Sequence, residues 1–174
     1  MSYSLVVFDW DGTLMDSTHS IVAAIQGACR DLELPVPSAS DASWVIGLSL
    51  ESALRRAVPE LTQAMLPRFL ERYRTHYLLR DPELRLFDGI PELLTELAGQ
   101  NVRLAVATGK SRVGLTRALA ATGLGPMFDA TRTADETFSK PHPGMLHELM
   151  QELDVDPARV VMVGDTSHDL QMAI

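Results

Sequence analysis

Four consecutive apolar residues, Leu5-Val6-Val7-Phe8, run directly into Asp9-Trp10-Asp11-Gly12-Thr13. An apolar run without polar alternation reads as a strand buried on both faces, and Asp11-Gly12 signals a turn at its end. The design recurs twice. Arg103-Leu104-Ala105-Val106-Ala107 ends in Thr108-Gly109-Lys110, and Val160-Val161-Met162-Val163 ends in Gly164-Asp165-Thr166. Helical patterns separate these runs: 91–99 with Leu93, Leu94 and Leu97 apolar, 111–122, and 142–153 with Met145, Leu146, Leu149 and Met150. Strands alternating with helices imply an α/β fold, a Rossmann-like parallel sheet covered on both faces, whose ligands bind beyond the carboxyl ends of the strands. The three polar turns fall there.

Residues 16–86 break the alternation and read as helices only. Asp16 or Ser17 is placed to cap a helix carrying Ile21, Ala24, Ile25, Ala28 and Leu32 at helical spacing, ended by Pro35 and Pro37. Further helices are expected near Ser49 and Pro67, the latter with Leu70, Tyr73 and Tyr77 on one face. Phe87-Asp88-Gly89-Ile90 would return the chain to the sheet. The expected division is a core of residues 1–15 and 87–174 with an inserted all-helical cap, 16–86.

Composition narrows the chemistry. Fifteen basic against 23 acidic residues give a net charge of −8, the wrong sign for holding a nucleic-acid backbone. Cys29 is the single cysteine and cannot form an internal disulfide. The N-terminal apolar run is too short for a signal peptide, and no stretch approaches the roughly 20 apolar residues of a membrane helix. A protein of the reducing cytoplasm, with no membrane partner, is the expectation. Nothing in the pattern speaks to oligomeric state.

Residues two apart at the end of a strand project to one side, so Asp9 and Asp11 can share a cleft while Trp10 turns away. Phosphoryl transfer needs such a pair: one carboxylate attacks phosphorus, and the other protonates the leaving oxygen and later activates water. The competing reading is an Asp-Gly turn beside a capping acid. A carboxylate meeting a phosphate ester faces repulsion of roughly 4 kcal/mol per unit-charge pair at 4 Å and an effective dielectric near 20, so cations must be supplied. Mg²⁺ held by carboxylates fits, with Asp165 as a further ligand. Asp169, four residues on, would return toward the same mouth if a helix begins near Thr166, and could hold metal-bound water or Lys140. Lys140, in Ser139-Lys140-Pro141-His142-Pro143 where two prolines stiffen the backbone, supplies a second positive charge. Thr108 offers a hydroxyl, and the amides of Gly109 and Lys110 offer donors to phosphate oxygens. The Lys110 side chain could reach the phosphate or point into solvent.

In order along the chain, Asp9-Trp10-Asp11-Gly12-Thr13, Thr108, Lys140 and Gly164-Asp165-Thr166-Ser167-His168-Asp169 resemble the four motifs of the haloacid dehalogenase superfamily. The helical insertion after the first motif resembles the cap of its phosphoglycolate phosphatase-like branch, which also includes β-phosphoglucomutase. The resemblance implies that Asp9 is the nucleophile and forms a phosphoaspartate, that Asp11 is the acid/base, and that Thr108 and Lys140 act on the phosphoryl group. It also implies that Mg²⁺ is held by Asp9, the backbone carbonyl of Asp11 and Asp165. The expected function is a Mg²⁺-dependent phosphatase acting on a small phosphorylated metabolite. The alternatives are a phosphomutase on a sugar phosphate and a non-catalytic phosphate-binding protein. A dehalogenase lacks the second Asp. A receiver domain would carry its phosphorylated Asp on a mid-chain strand with no helical insertion.

Relatives continue beyond the fourth motif with another strand, whereas this sequence stops at Ile174, so a truncated chain with Val160-Val161-Met162-Val163 left at a sheet edge is expected. His142 and His168 read as spacer or surface residues, Cys29 as packing, and Arg55, Arg56, Arg68, Arg72 and Arg74 as a solvated face. Val45-Ile46-Gly47-Leu48 resembles the cap segment that approaches substrate, and equally a plain turn between helices.

Overall fold

The computed structural model describes residues 3–174. In chain order its first elements are β1 (Leu5–Phe8), β2 (Met15–Asp16), α1 (Thr18–Asp31), α2 (Ala39–Trp44), α3 (Leu50–Ala57), α4 (Leu66–Arg80) and β3 (Arg85–Leu86). There follow α5 (Ile90–Gly99), β4 (Arg103–Thr108), α6 (Arg112–Thr122), β5 (Ala130–Thr133), α7 (Gly144–Leu153), β6 (Val160–Val163) and α8 (Ser167–Ala173). The sheet order is β5-β4-β1-β6, with every pair parallel. All four residues of β1 are buried, as a central strand flanked on both sides requires.

Period two along β1 sorts its side chains between two layers. Val6 and Phe8 join Leu94, Leu104, Val106 and Leu115 beneath α5 and α6, while Leu5 and Val7 join Ala105, Ala107, Met145 and Leu149 beneath α7. Phe8 stands in register with Val106 and Val163, so the polar turns after β1, β4 and β6 emerge at one edge of the sheet. The Asp9 amide donates to the Val163 carbonyl at 2.9 Å and carries the pairing one step into the first turn. Gly89, at φ 82°, provides the left-handed turn from which α5 starts.

Helices α1 to α4 gather around an apolar cluster of their own, built from Ile21, Ile25, Ala28, Leu54, Phe69 and Tyr73 among others, with Cys29 packed inside it. The chain enters and leaves this lobe through β2 and β3, which pair antiparallel. Pattern reading missed that ribbon because two residues are too few to show a period. It also missed β5, whose Ala-Thr-Arg-Thr has no apolar run and which lies at the sheet edge, its Arg132 paired with Glu148 and Glu152 on α7. Ser17 does not cap α1 with its side chain; the hydroxyl donates instead to Asp11 Oδ1 at 2.7 Å. Among the described residues, no helix is long and apolar enough to cross a membrane.

Phe69 is fully buried in the helical lobe, whereas Leu79 on the same helix is 70% exposed. Phe69→Ala should therefore lower the unfolding free energy by about 3–5 kcal/mol, and Leu79→Ala should change it by less than about 0.5 kcal/mol. Urea midpoints measured at constant slope check both values.

Candidate active site

The turn after β1 delivers Asp9 into the interior. Its carboxylate is 1% exposed, and Oδ1 accepts from the Trp10 amide at 2.7 Å and faces the Lys140 ammonium at 2.8 Å. The other oxygen, Oδ2, is buried and has no hydrogen-bond partner. Lys140 is fully enclosed and shared: a second carboxylate oxygen, Asp169 Oδ1, lies 2.7 Å away. Asp169 is fixed in turn by a capping box at the start of α8, where its Oδ2 accepts from the Thr166 amide at 3.1 Å and hydroxyl at 2.8 Å. The fourth motif thereby orients the ammonium supplied by the third.

Asp165 is the exposed acid of the group, and its Oδ1 accepts from the Thr13 hydroxyl at 3.1 Å. Gly12 sits at φ 81°, and a Cβ there would overlap the Asp165 carboxylate, so the first and fourth motifs touch at a point only glycine can fill. Thr108 is buried at the end of β4, its hydroxyl accepting the Lys110 amide at 3.2 Å. Asp11 is buried on the lobe side, with Oδ1 on Ser17 and Oδ2 3.2 Å from the Lys110 ammonium. Lys110 also reaches the Tyr77 hydroxyl of α4 at 3.3 Å. The solvated alternative for Lys110 is thus replaced by a paired, mostly enclosed side chain.

The lobe closes directly on this cluster. Gly109 lies so near the carbonyls of Gly47 and Leu48 that a Cβ would strike both, and a Cβ on Gly47 would stand 3.8 Å from Asp9 Oδ2. His168, read as a spacer or surface residue, is not at the surface: it is buried, its Nε2 lies 3.0 Å from the Trp44 carbonyl, and its ring meets the Trp44 ring edge-on at 4.8 Å. Arg56, read as part of a solvated face, lies over the Trp44 ring, 4.1 Å from its centre. Ser17, Tyr77 and Trp44 were absent from the expected site because each reaches it only through tertiary packing. His142 is exposed, its Nδ1 accepting from the Gly144 amide at 3.0 Å.

The haloacid dehalogenase-like hydrolase family matches residues 6–174. The chain belongs to that family. IndB of Dickeya dadantii, described as a probable phosphatase, is 41% identical over 97% of this chain and 76% of its own length. PtkA of Mycobacterium tuberculosis, described as a tyrosine-protein kinase, is 35% identical over 99% of this chain; the chain spans 59% of PtkA. The crystal structure of a predicted phosphoglycolate phosphatase from Haemophilus somnus superposes with a TM-score of 0.87 at 27% identity, covering 99% of this chain and 81% of that one. This member of the haloacid dehalogenase-like hydrolases is an enzyme of the phosphoric monoester hydrolase class, with an α/β core.

Burial raises the Asp9 carboxyl to about 7, against the opposing pull of Lys140, with Asp169 adding to the rise. Lys140 is held above its ordinary range by Asp9 and Asp169 despite its burial. Partial enclosure raises Asp165, which the Thr13 hydroxyl opposes. Asp9, Asp165 and Asp169 each offer an oxygen within 4.8 Å of the others. Once ionised, three carboxylates against one ammonium leave two negative charges in excess, and Asp9 Oδ2 is an orphaned buried acceptor. Hard oxygen donors with that charge deficit fit a divalent cation of the Mg²⁺ type.

Lys140→Met would strand Asp9 and Asp169 in an enclosed site, with an expected loss of about 3–5 kcal/mol of stability. Without the ammonium the Asp9 carboxyl rises further above its unfolded value of 3.8. The folded state then binds more protons than the unfolded one, and stability falls as pH rises through that window. Thermal midpoints of wild type and variant should therefore differ more at pH 8 than at pH 5.

Proposed function

We propose that the chain is a Mg²⁺-dependent phosphatase of the phosphoglycolate phosphatase-like kind, hydrolysing a small phosphorylated metabolite through a phosphoaspartate on Asp9. The observation that carries this reading is Asp9 itself: one oxygen is anchored by Lys140 and the Trp10 amide, and the other is buried, unpartnered and beneath the lobe. An anchored carboxylate with one free oxygen has the form required of a nucleophile. Thr108 and Lys140 flank the phosphoryl position as hydroxyl donor and ammonium, and the Gly109 amide lies at the same strand end. Asp11 stands on the lobe side, where a leaving group would lie, and serves as acid and then as base toward water. Asp9, Asp165 and the backbone carbonyl of Asp11 would hold Mg²⁺, with Asp169 reserved for Lys140. Bound there, the ion supplies positive charge against the phosphate and the attacking carboxylate.

In this reading residues 16–86 form the cap and residues 1–15 and 87–174 the core. The closeness of Gly47 and Leu48 to Gly109 supports it, since this packing excludes water from a reacting phosphate. Substrate then requires the lobe to lift and return. The proposed setting is cytoplasmic.

A screen of small phosphorylated metabolites with and without Mg²⁺ tests the proposal. Turnover should require the ion, release inorganic phosphate rather than an isomerised ester, and fall at least about 10³-fold in Asp9→Asn. Near wild-type turnover in that variant rejects Asp9 as nucleophile. A carboxyl near 7 must ionise to take a cation, so Mg²⁺ binding should tighten from pH 6 to pH 8 and release protons. Calorimetry in buffers of different ionisation enthalpy measures that release.

A further inference from the structure

His168 is a buried imidazole that the phosphoryl chemistry does not use. Its Nε2 stands 3.0 Å from the Trp44 carbonyl, and because a carbonyl can only accept, that nitrogen carries a proton and donates from core to lobe. The two rings meet edge to face, 4.8 Å apart. Trp44 ends α2, and a tight turn follows, in which the Ile46 amide donates to the Ser43 carbonyl and the Leu48 amide to the Val45 carbonyl. This turn lies over the free oxygen of Asp9. A Cβ built on Gly47 would stand 3.4 Å from the Thr166 hydroxyl, 3.8 Å from Asp9 Oδ2 and 4.0 Å from the His168 ring.

The place of the contact gives it leverage. Ser17 to Asp11, Tyr77 to Lys110 and Asp81 to Arg117 also bridge lobe and core, but each leaves the lobe close to β2 or β3 along the chain. Trp44 lies midway through the insertion, where no covalent tether holds the lobe. On the core side, His168 occupies the first turn of α8 beside Asp169, which is fixed by Thr166 and holds Lys140. One turn of the core therefore grips both the ammonium at Asp9 and the lobe segment above it.

Taking residues 16–86 as a cap that lifts, we infer that His168 is a positioning residue: its bond to the Trp44 carbonyl latches the lobe shut and seats Gly47 over Asp9 Oδ2. When the lobe lifts, water replaces the carbonyl, so the latch has the modest net strength of one neutral hydrogen bond. It sets the balance between lifted and seated lobe without touching the phosphoryl group.

Amide hydrogen exchange of the free enzyme, read by mass spectrometry, tests the latch. Residues 44–50 and the facing 108–111 should exchange through the lifted state, at rates proportional to its population. His168→Phe keeps a ring against Trp44 and removes the donor. It should speed exchange in both segments by about two- to tenfold, while residues 69–76 inside the lobe keep their wild-type rate. His168→Gln, whose amide N–H reaches as far as Nε2, should restore most of the protection. The amide of His168→Asn is too short, so this variant should behave like His168→Phe, and it replaces that variant should the latter not fold. Unchanged exchange at 44–50 and 108–111 overturns the inference. So does an increase confined to α8, or one that His168→Gln fails to reverse, since either marks a role in packing alone. Exchange needs no turnover, so failure of the phosphatase reading registers separately, as absence of phosphate release or as activity kept in Asp9→Asn.

Discussion

One ammonium group shared by two buried carboxylates governs this structure. Lys140 lies 2.8 Å from Asp9 and 2.7 Å from Asp169, with all three side chains withdrawn from solvent. Such a triad is tolerable only if every partner is positioned closely, because each ion has given up several kcal/mol of hydration. The surrounding backbone meets that demand. Asp9 is placed by the register of β1 against β4 and β6, and Asp169 by the capping box that opens α8. The sheet and the last helix are thereby tied through a charge network rather than through apolar contact alone.

Negative charge still outweighs positive at this point, which gives the cluster its chemical character. A site that keeps a carboxylate oxygen buried and unmatched stores an unfavourable interaction that a cation or a phosphorus centre relieves. The raised carboxyl of Asp9 expresses first the cost of that burial, to which the neighbouring carboxylates add. Close approach does the rest. At Gly12 and Gly109, backbone stands where any side chain would collide with Asp165 or with the lobe.

The sheet was legible because its three principal strands are apolar runs of four or five residues that end in polar turns, and their parallel pairing follows from the helices between them. The shared side of Asp9, Thr108 and Asp165 followed from the same logic, since the carboxyl ends of neighbouring parallel strands open on one side; Lys140, in the loop between β5 and α7, was marked by the prolines of its segment instead. What escaped was non-local or nonperiodic. β5 is a polar edge strand recognised only by its pairing with β4. Ser17 looked like a helix cap because its spacing to α1 is that of a cap, yet Asp11 offered a stronger acceptor. The contacts of Lys110 with Tyr77 and of His168 with Trp44 show no local pattern, for the partners lie 33 and 124 residues away along the chain. Charge pairs of that kind are settled by which surfaces meet, and composition does not record it.

The ribbon formed by β2 and β3 sets how the two halves can move. Both covalent connections to the helical lobe run side by side, joined by their own ladder and by the Phe87 amide on the Leu14 carbonyl. Two adjacent antiparallel tethers suppress sliding and twisting far more than they suppress bending. Were the lobe to lift as proposed, a strip of this kind would favour a door-like swing about a line across it, with the residues farthest from the ribbon sweeping the longest arc.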